Sequence, residues 1–154
     1  LGAGEEQGGL FGAVPAQEGW GLQSMPMLPL RLHPGDDLRL RLEQAVGAAG
    51  WPGAFVVSGI GSLTVAVLRY AGAEQTTRIH ADLELLSLAG SISADGAHLH
   101  AVVADAQGRV LGGHLCPGSL VRTTAEILLA PVPAEQRLSR VHDAATGHSE
   151  LQIG

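Results

Sequence analysis

Ala97-His98-Leu99-His100-Ala101-Val102-Val103-Ala104-Asp105-Ala106-Gln107-Gly108-Arg109-Val110-Leu111-Gly112-Gly113-His114-Leu115 is the stretch on which the fold turns. Successive strand side chains face opposite ways, so His98 and His100 share one side while Ala97, Leu99 and Ala101 share the other. Asp105 suits the first position of a type I turn, and Gly108 can take the left-handed conformation that closes a three-residue hairpin loop with a bulge. Asp105 then pairs with Arg109, the numbers of paired residues sum to 214, and His100 stands opposite His114 with His98 diagonal to it. Three imidazoles converge on one face. A slip of one residue would send His114 to the other side of the sheet, so the reading stands or falls on this register.

Upstream of that hairpin, Leu28, Leu30 and Leu32 alternate with Pro29 and Arg31 as in a half-buried strand, and the proline places it at an edge. His33-Pro34-Gly35 breaks the chain. Asp36 is then a good N-cap for a helix carrying Leu38, Leu42, Val46 and Ala49 on one face, with Gly50 as its stop. Two apolar stretches, 54 to 58 and 62 to 70, read as strands joined at a glycine corner, Ser58-Gly59-Ile60-Gly61-Ser62. Leu83 to Ile92 is the next strand, followed by the quoted hairpin and by a strand from Ser119 to Ala130. The polar remainder, 131 to 154, is expected to wrap the surface. One helix against six or seven mostly antiparallel strands predicts an α+β, barrel-like domain over residues 25–154. Residues 1–24, rich in Gly, Ala, Gln and Glu without a period, are expected to be a tail or arm. The chain opens on Leu1 in place of Met, so its natural beginning is expected to lie elsewhere.

Three neutral histidines leave the fourth corner of a tetrahedral zinc ion open to water or substrate, the pattern of catalytic rather than structural sites; another divalent transition metal would also fit. The competing reading of His-x-His alone is the wet face of a strand, and the third histidine is what raises the metal reading above it. Gly112 and Gly113 would let a ligand approach the backbone, or mark a bulge. Cys116 would stand opposite His98 as a fourth ligand, although Pro117 is expected to end the strand first. Glu84 and Glu126 sit in otherwise apolar strands, where each could orient an imidazole or move a proton, or could simply face water. Gly59-x-Gly61 lacks the third glycine of a dinucleotide fingerprint, and no nucleophile elbow, phosphate loop or Cys-x-x-Cys occurs.

Nine basic residues, all arginine, against fifteen acidic ones give a formal net charge of -6, which repels polyanions as a whole. Arg31, Arg39 and Arg41 are the only local cluster, and Asp36 and Asp37 lie among them, so no basic stripe forms. Charged residues make up only 16%, which hints that some surface is hidden against other copies of the chain. A single cysteine permits no internal disulfide and favours a reducing compartment. No apolar run nears the roughly 20 residues of a membrane span, so the expected location is cytoplasmic.

Arg31-Leu-His-Pro-Gly-Asp-Asp-Leu, Ser58-Gly-Ile-Gly-Ser, Leu83-Glu-Leu-Leu-Ser-Leu-Ala-Gly-Ser-Ile, His98-Leu-His, Asp105-Ala-Gln-Gly-Arg-Val-Leu-Gly-Gly-His-Leu and Thr123-Thr-Ala-Glu-Ile occur in that order. Together they resemble the PPC domain, the plants and prokaryotes conserved domain or DUF296, over about Met27 to Leu151. The resemblance implies a homotrimer, and bacterial single-domain members carry the label of DNA-binding proteins. Plant members place an AT-hook before the domain and bind AT-rich DNA, whereas this chain has no Arg-Gly-Arg-Pro core. The fold is also similar to that of acetolactate decarboxylase, whose zinc is held by three histidines from a sheet; the matching positions are His98, His100 and His114. Three functions are thereby set against each other: a trimeric regulatory or DNA-associated module with a metal site, a zinc-dependent lyase or hydrolase acting on a small polar substrate, and a purely structural trimer.

Overall fold

In the computed structural model, which describes residues 26–154, eight strands and one helix follow one another. Strand β1 (Leu28–Leu32) leads into helix α1 (Leu38–Ala48), then come β2 (Ala54–Arg69), β3 (Thr77–Ser93), β4 (Gly96–Ala104), β5 (Val110–Leu115) and β6 (Leu120–Pro131). A final pair, β7 (Leu138–Asp143) and β8 (His148–Ile153), closes the described chain. The first six strands form one antiparallel sheet in the order β1-β6-β2-β3-β4-β5, and β7 and β8 form a sheet of their own. The class is therefore mostly antiparallel sheet with one helix, as the pattern predicts. The expected arm, 1–24, lies outside the described residues.

Pro29 does sit on an edge strand: among the described residues β1 has β6 as its only neighbour, so no second ladder there needs the missing N–H of the proline. Helix α1 buries Leu38, Leu42 and Val46, which lie four apart and so share one stripe. Its N-cap is Asp37 rather than Asp36: the Asp37 carboxylate accepts from the Leu40 backbone N–H at 3.1 Å, while Asp36 instead accepts from His33 N–H at 2.9 Å. One residue's shift follows from the chain leaving β1 through a turn that consumes the first aspartate.

The expected glycine corner is absent as a break, and β2 runs on through it as a single long strand. Bulges against β6 and β3 bend it while keeping the ladder, so the bend is taken up by irregular register and not by a turn. Gly61 makes this feasible: at φ +152 it lies where a Cβ would strike Thr124 O and Ala125 of β6. Because it is bent and long, β2 pairs with β6, with β3 and, at its last two residues, with β5. That last pairing sets Arg69 directly across from His114.

Leu63, Leu68, Leu83, Leu85, Leu99, Val103, Leu115 and Leu129 are among the side chains fully enclosed in the core, joined by the helix leucines. Burial of a leucine contributes about 1.5–3 kcal/mol, so the alternating inward residues of β4, Ala97, Leu99, Ala101 and Val103, fix that strand's facing beyond doubt. His98 and His100 must then point the other way. The helix also clamps this strand: the Glu43 carboxylate takes the Arg39 guanidinium and the Ala97 backbone N–H, both at 2.9 Å.

Candidate metal centre

The hairpin β4–β5 has the register that the Asp-Gly loop dictates. Asp105 N–H donates to Arg109 O at 3.0 Å, Gly108 N–H donates to Asp105 O at 2.9 Å, and Gly108 has φ +74. The Asp105 side chain accepts from Gln107 N–H, Arg109 N–H and the Arg109 Nε, the last at 2.7 Å. Desolvation works against ionisation there, but these hydrogen bonds win and hold the carboxyl below its usual range. The ladder then runs Ala104 to Val110 through His100 to His114.

His98, His100 and His114 come together as expected. Their ring centroids lie 4.8 to 5.5 Å apart, and one ligand nitrogen from each lies within 4.8 Å of the others. The His98 and His100 Nε2 atoms are 3.1 Å apart. Two nitrogens bonded at about 2.0–2.1 Å to one tetrahedral zinc stand roughly 3.3 Å from each other, so the His98–His100 pair has the spacing of two ligands on one ion of that size. The group could hold a metal ion with room left for a further ligand. Burial pushes the His114 imidazole down to about 4, with His98, Arg69 and His100 adding to the effect. Burial and then the Arg140 charge lower His98 as well. Both are neutral at pH 7, the state in which imidazole ligates.

Cys116 does not join them. The β4–β5 ladder ends at His100 opposite His114, and Cys116 N–H donates instead to Val67 O of β2 at 2.9 Å, which turns the chain away before Pro117. Glu84 and Glu126 are elsewhere too. They line a second cavity of about 400 Å³ with Ile60, Arg122 and Thr124, whose buried hydroxyl has no partner. Neither glutamate lines the histidine cavity, so neither orients an imidazole.

The histidine cavity, about 810 Å³, has walls that composition and spacing did not reveal. Arg69 comes from the end of β2, Asp95 from the β3–β4 turn, and Arg140 and Glu150 from the β7–β8 hairpin. Arg69 could not be found without the β2–β5 pairing. The hairpin did leave a signal, because Asp143 and Gly147 flank its loop much as Asp105 and Gly108 flank the first, with Gly147 at φ +73.

Comparison with known proteins agrees with this architecture. The Plants and Prokaryotes Conserved (PCC) domain matches residues 22–133, and the chain belongs to that family. It is 49% identical over 130 residues to a bifunctional protein GlmU of Synechococcus sp. (strain JA-3-3Ab), a match covering 84% of this chain but 21% of that protein. The chain therefore spans about a fifth of the length of that curated relative. Among solved structures, a hypothetical protein from Salmonella enterica superposes with a TM-score of 0.80 at 40% identity, covering 84% of this chain and 93% of the other. A metal-containing protein from Archaeoglobus fulgidus gives a TM-score of 0.70 at 30% identity, with 82% and 93% covered. A protein from Ralstonia eutropha, described as a candidate DNA-binding protein, gives 0.71 at 28% identity, with 82% and 90% covered.

Proposed function

We propose that this chain is a PCC-family regulatory module that holds one divalent transition metal, zinc in the first instance, on His98, His100 and His114. In this reading residues 25–154 are the domain and 1–24 a tail or arm. The observation that carries the reading is the meeting of three imidazoles on one sheet face with a cavity in front of them. The metal content of the related Archaeoglobus protein supports it. When bound, such an ion supplies Lewis acidity and an activated water or a ligand-exchange position. Elemental analysis of tag-free protein tests the proposal. About one equivalent of zinc per chain, lost when all three histidines become alanine, is the expected result; a metal-free native protein after incubation with zinc would overturn it.

Action as a homotrimer in the cytoplasm goes with this reading. Phe55, Val57, Ile60 and Leu86 stand on outward positions of β2 and β3 with between 40% and 55% of their surface exposed, an apolar set suited to cover by further copies. A sedimentation velocity run giving a monomer at micromolar concentration would remove this part. DNA association is suggested by the description of the Ralstonia protein, and is opposed by the net charge of -6. Arg39 and Arg41 are also engaged with Glu43 and Asp36. No shift of AT-rich DNA at low salt is the expected gel result.

A second reading, a zinc-dependent lyase or hydrolase of small polar substrates, is favoured by the open fourth position. Ester or keto-acid turnover that disappears in His100→Ala while the fold persists would establish it.

A further inference from the structure

Two arginines face the histidine cavity without a carboxylate of their own. Arg69 is the ladder partner of His114, and ladder partners project to the same side of a sheet. Ser91 is the ladder partner of His98, and the Arg140 Nη2 donates to Ser91 Oγ at 2.8 Å, so the Arg140 guanidinium reaches across to the histidine face from β7. The Arg140 backbone N–H donates to Asp95 Oδ2 at 2.8 Å, which fixes where the side chain starts. Among the described residues neither Arg69 nor Arg140 has an ion-pair partner. Neither is held in a direct ion pair, so both guanidinium groups are available to a ligand in the cavity.

Charge counting gives the sign of that ligand. Asp95 and Glu150 also line the cavity, so the two carboxylates offset the two guanidinium groups. The Glu150 Oε1 is already engaged by the Thr146 hydroxyl at 2.9 Å. Imidazoles that ligate a metal ion do so uncharged, which leaves the double charge of a bound ion uncompensated in a partly enclosed space. Arg140 belongs to a hairpin lying beyond residues 22–133, the part matched by the family model.

We infer that the ligand completing the three-histidine centre is a small organic carboxylate or similar oxyanion, held between the ion and the Arg140 fork with Arg69 on its other flank. This rests on the metal reading above and names the class of molecule that reading leaves open.

Oxalate is the probe, added to the full chain loaded with cobalt(II), whose visible spectrum reports both metal binding and ligand exchange. Neutral imidazole serves as the control ligand. Arg140→Gln is expected to weaken oxalate by about tenfold to a hundredfold, the range for loss of charge-assisted hydrogen bonds, while leaving cobalt and imidazole affinity unchanged. Arg140→Lys should recover part of the loss, and Arg69→Gln should show a smaller one. Equal weakening of oxalate and imidazole in Arg140→Gln would mean a merely structural role and overturn the inference, as would unchanged oxalate affinity in both glutamine variants. If native protein takes up no cobalt, the metal reading fails on its own account. Calorimetry of oxalate with the metal-free chain then decides: Arg140-dependent binding keeps the anion pocket, and no binding overturns it.

Discussion

Two of the β-hairpins, β4–β5 and β7–β8, turn on an Asp–Gly loop, and they do opposite jobs. In β4–β5 the register is written locally, by three hydrogen bonds onto the Asp105 carboxylate and by Gly108, and the inward face is sealed into the core through Leu99, Val103 and Leu115. In β7–β8 the strands pair just as regularly, from Leu138 opposite Ile153 to Asp143 opposite His148, but Val141 and Ile153 remain more than half exposed. That hairpin is attached at a few points: Leu138, 1% exposed and seated where Gly53 has no side chain, and Arg140, tied to Asp95 and Ser91. Regular pairing alone does not make a hairpin a foundation. What its faces bury decides that, and the histidines stand on the sealed one while the second hairpin supplies a wall.

The largest effect expected from this contrast falls on the first hairpin. His100→Ala should weaken zinc binding by more than about 100-fold, since removing a direct ligand exceeds the usual 10–100-fold cost of losing a residue that only orients one. Competition with a chromophoric chelator measures it, and a loss below tenfold would detach the metal from β4–β5. Next comes Leu138→Ala, which removes a fully buried leucine and should cost about 2–5 kcal/mol of the attachment of the second hairpin. Limited proteolysis should then cut between 131 and 138 while zinc affinity is unchanged; a parallel loss of zinc would merge the two hairpins into one functional unit.

Acid should act through the first hairpin as well. His114 sits at about 4 and His98 is also lowered, both first by burial, whereas in the unfolded chain histidine titrates near 6.5. Between those values the unfolded state binds more protons, so the stability of metal-free protein is complete above about pH 6.5 and falls as pH drops toward 4. Melting curves across that range should show the fall, and His114→Ala should flatten it. The smallest effect is expected for Asp105→Ala. It removes a loop carboxylate that is mostly covered by its own hairpin loop, and should lower the melting temperature slightly and broaden the amide signals of Gln107 to Arg109, with His100 still opposite His114 because the buried face holds the register.

The meeting of the three histidines was legible because its determinants are local. Asp105, Gly108 and the two-residue period of β4 and β5 are all within one short stretch, and no distant segment had to be placed to bring the three rings together. The continuous β2 was not legible, because Ser58 to Ser62 reads as a corner until Gly59 and Gly61 are seen to admit Leu88, Ile127 and the β6 backbone at close range. The start of β3 at Thr77 escaped because Thr77, Arg78, His80 and Asp82 are polar on both faces and leave no alternation to detect. Arg69 and Arg140 depend on contacts between segments far apart in the chain. Asp143 and Gly147 could have announced the second hairpin, but few apolar residues flank them and the period of two is lost in a polar segment.

The shortness of the connection between His100 and His114 also limits what an ion there can contribute to folding. A cross-link stabilises a chain chiefly by denying the unfolded form the freedom of the loop it closes, and that freedom grows with loop length. Fourteen peptide steps separate the two histidines, and the ladder itself already draws them together. An ion at this point is a poor staple. Stripping a bound ion should leave the architecture standing, so the use of such an ion would lie in what it binds or reacts with.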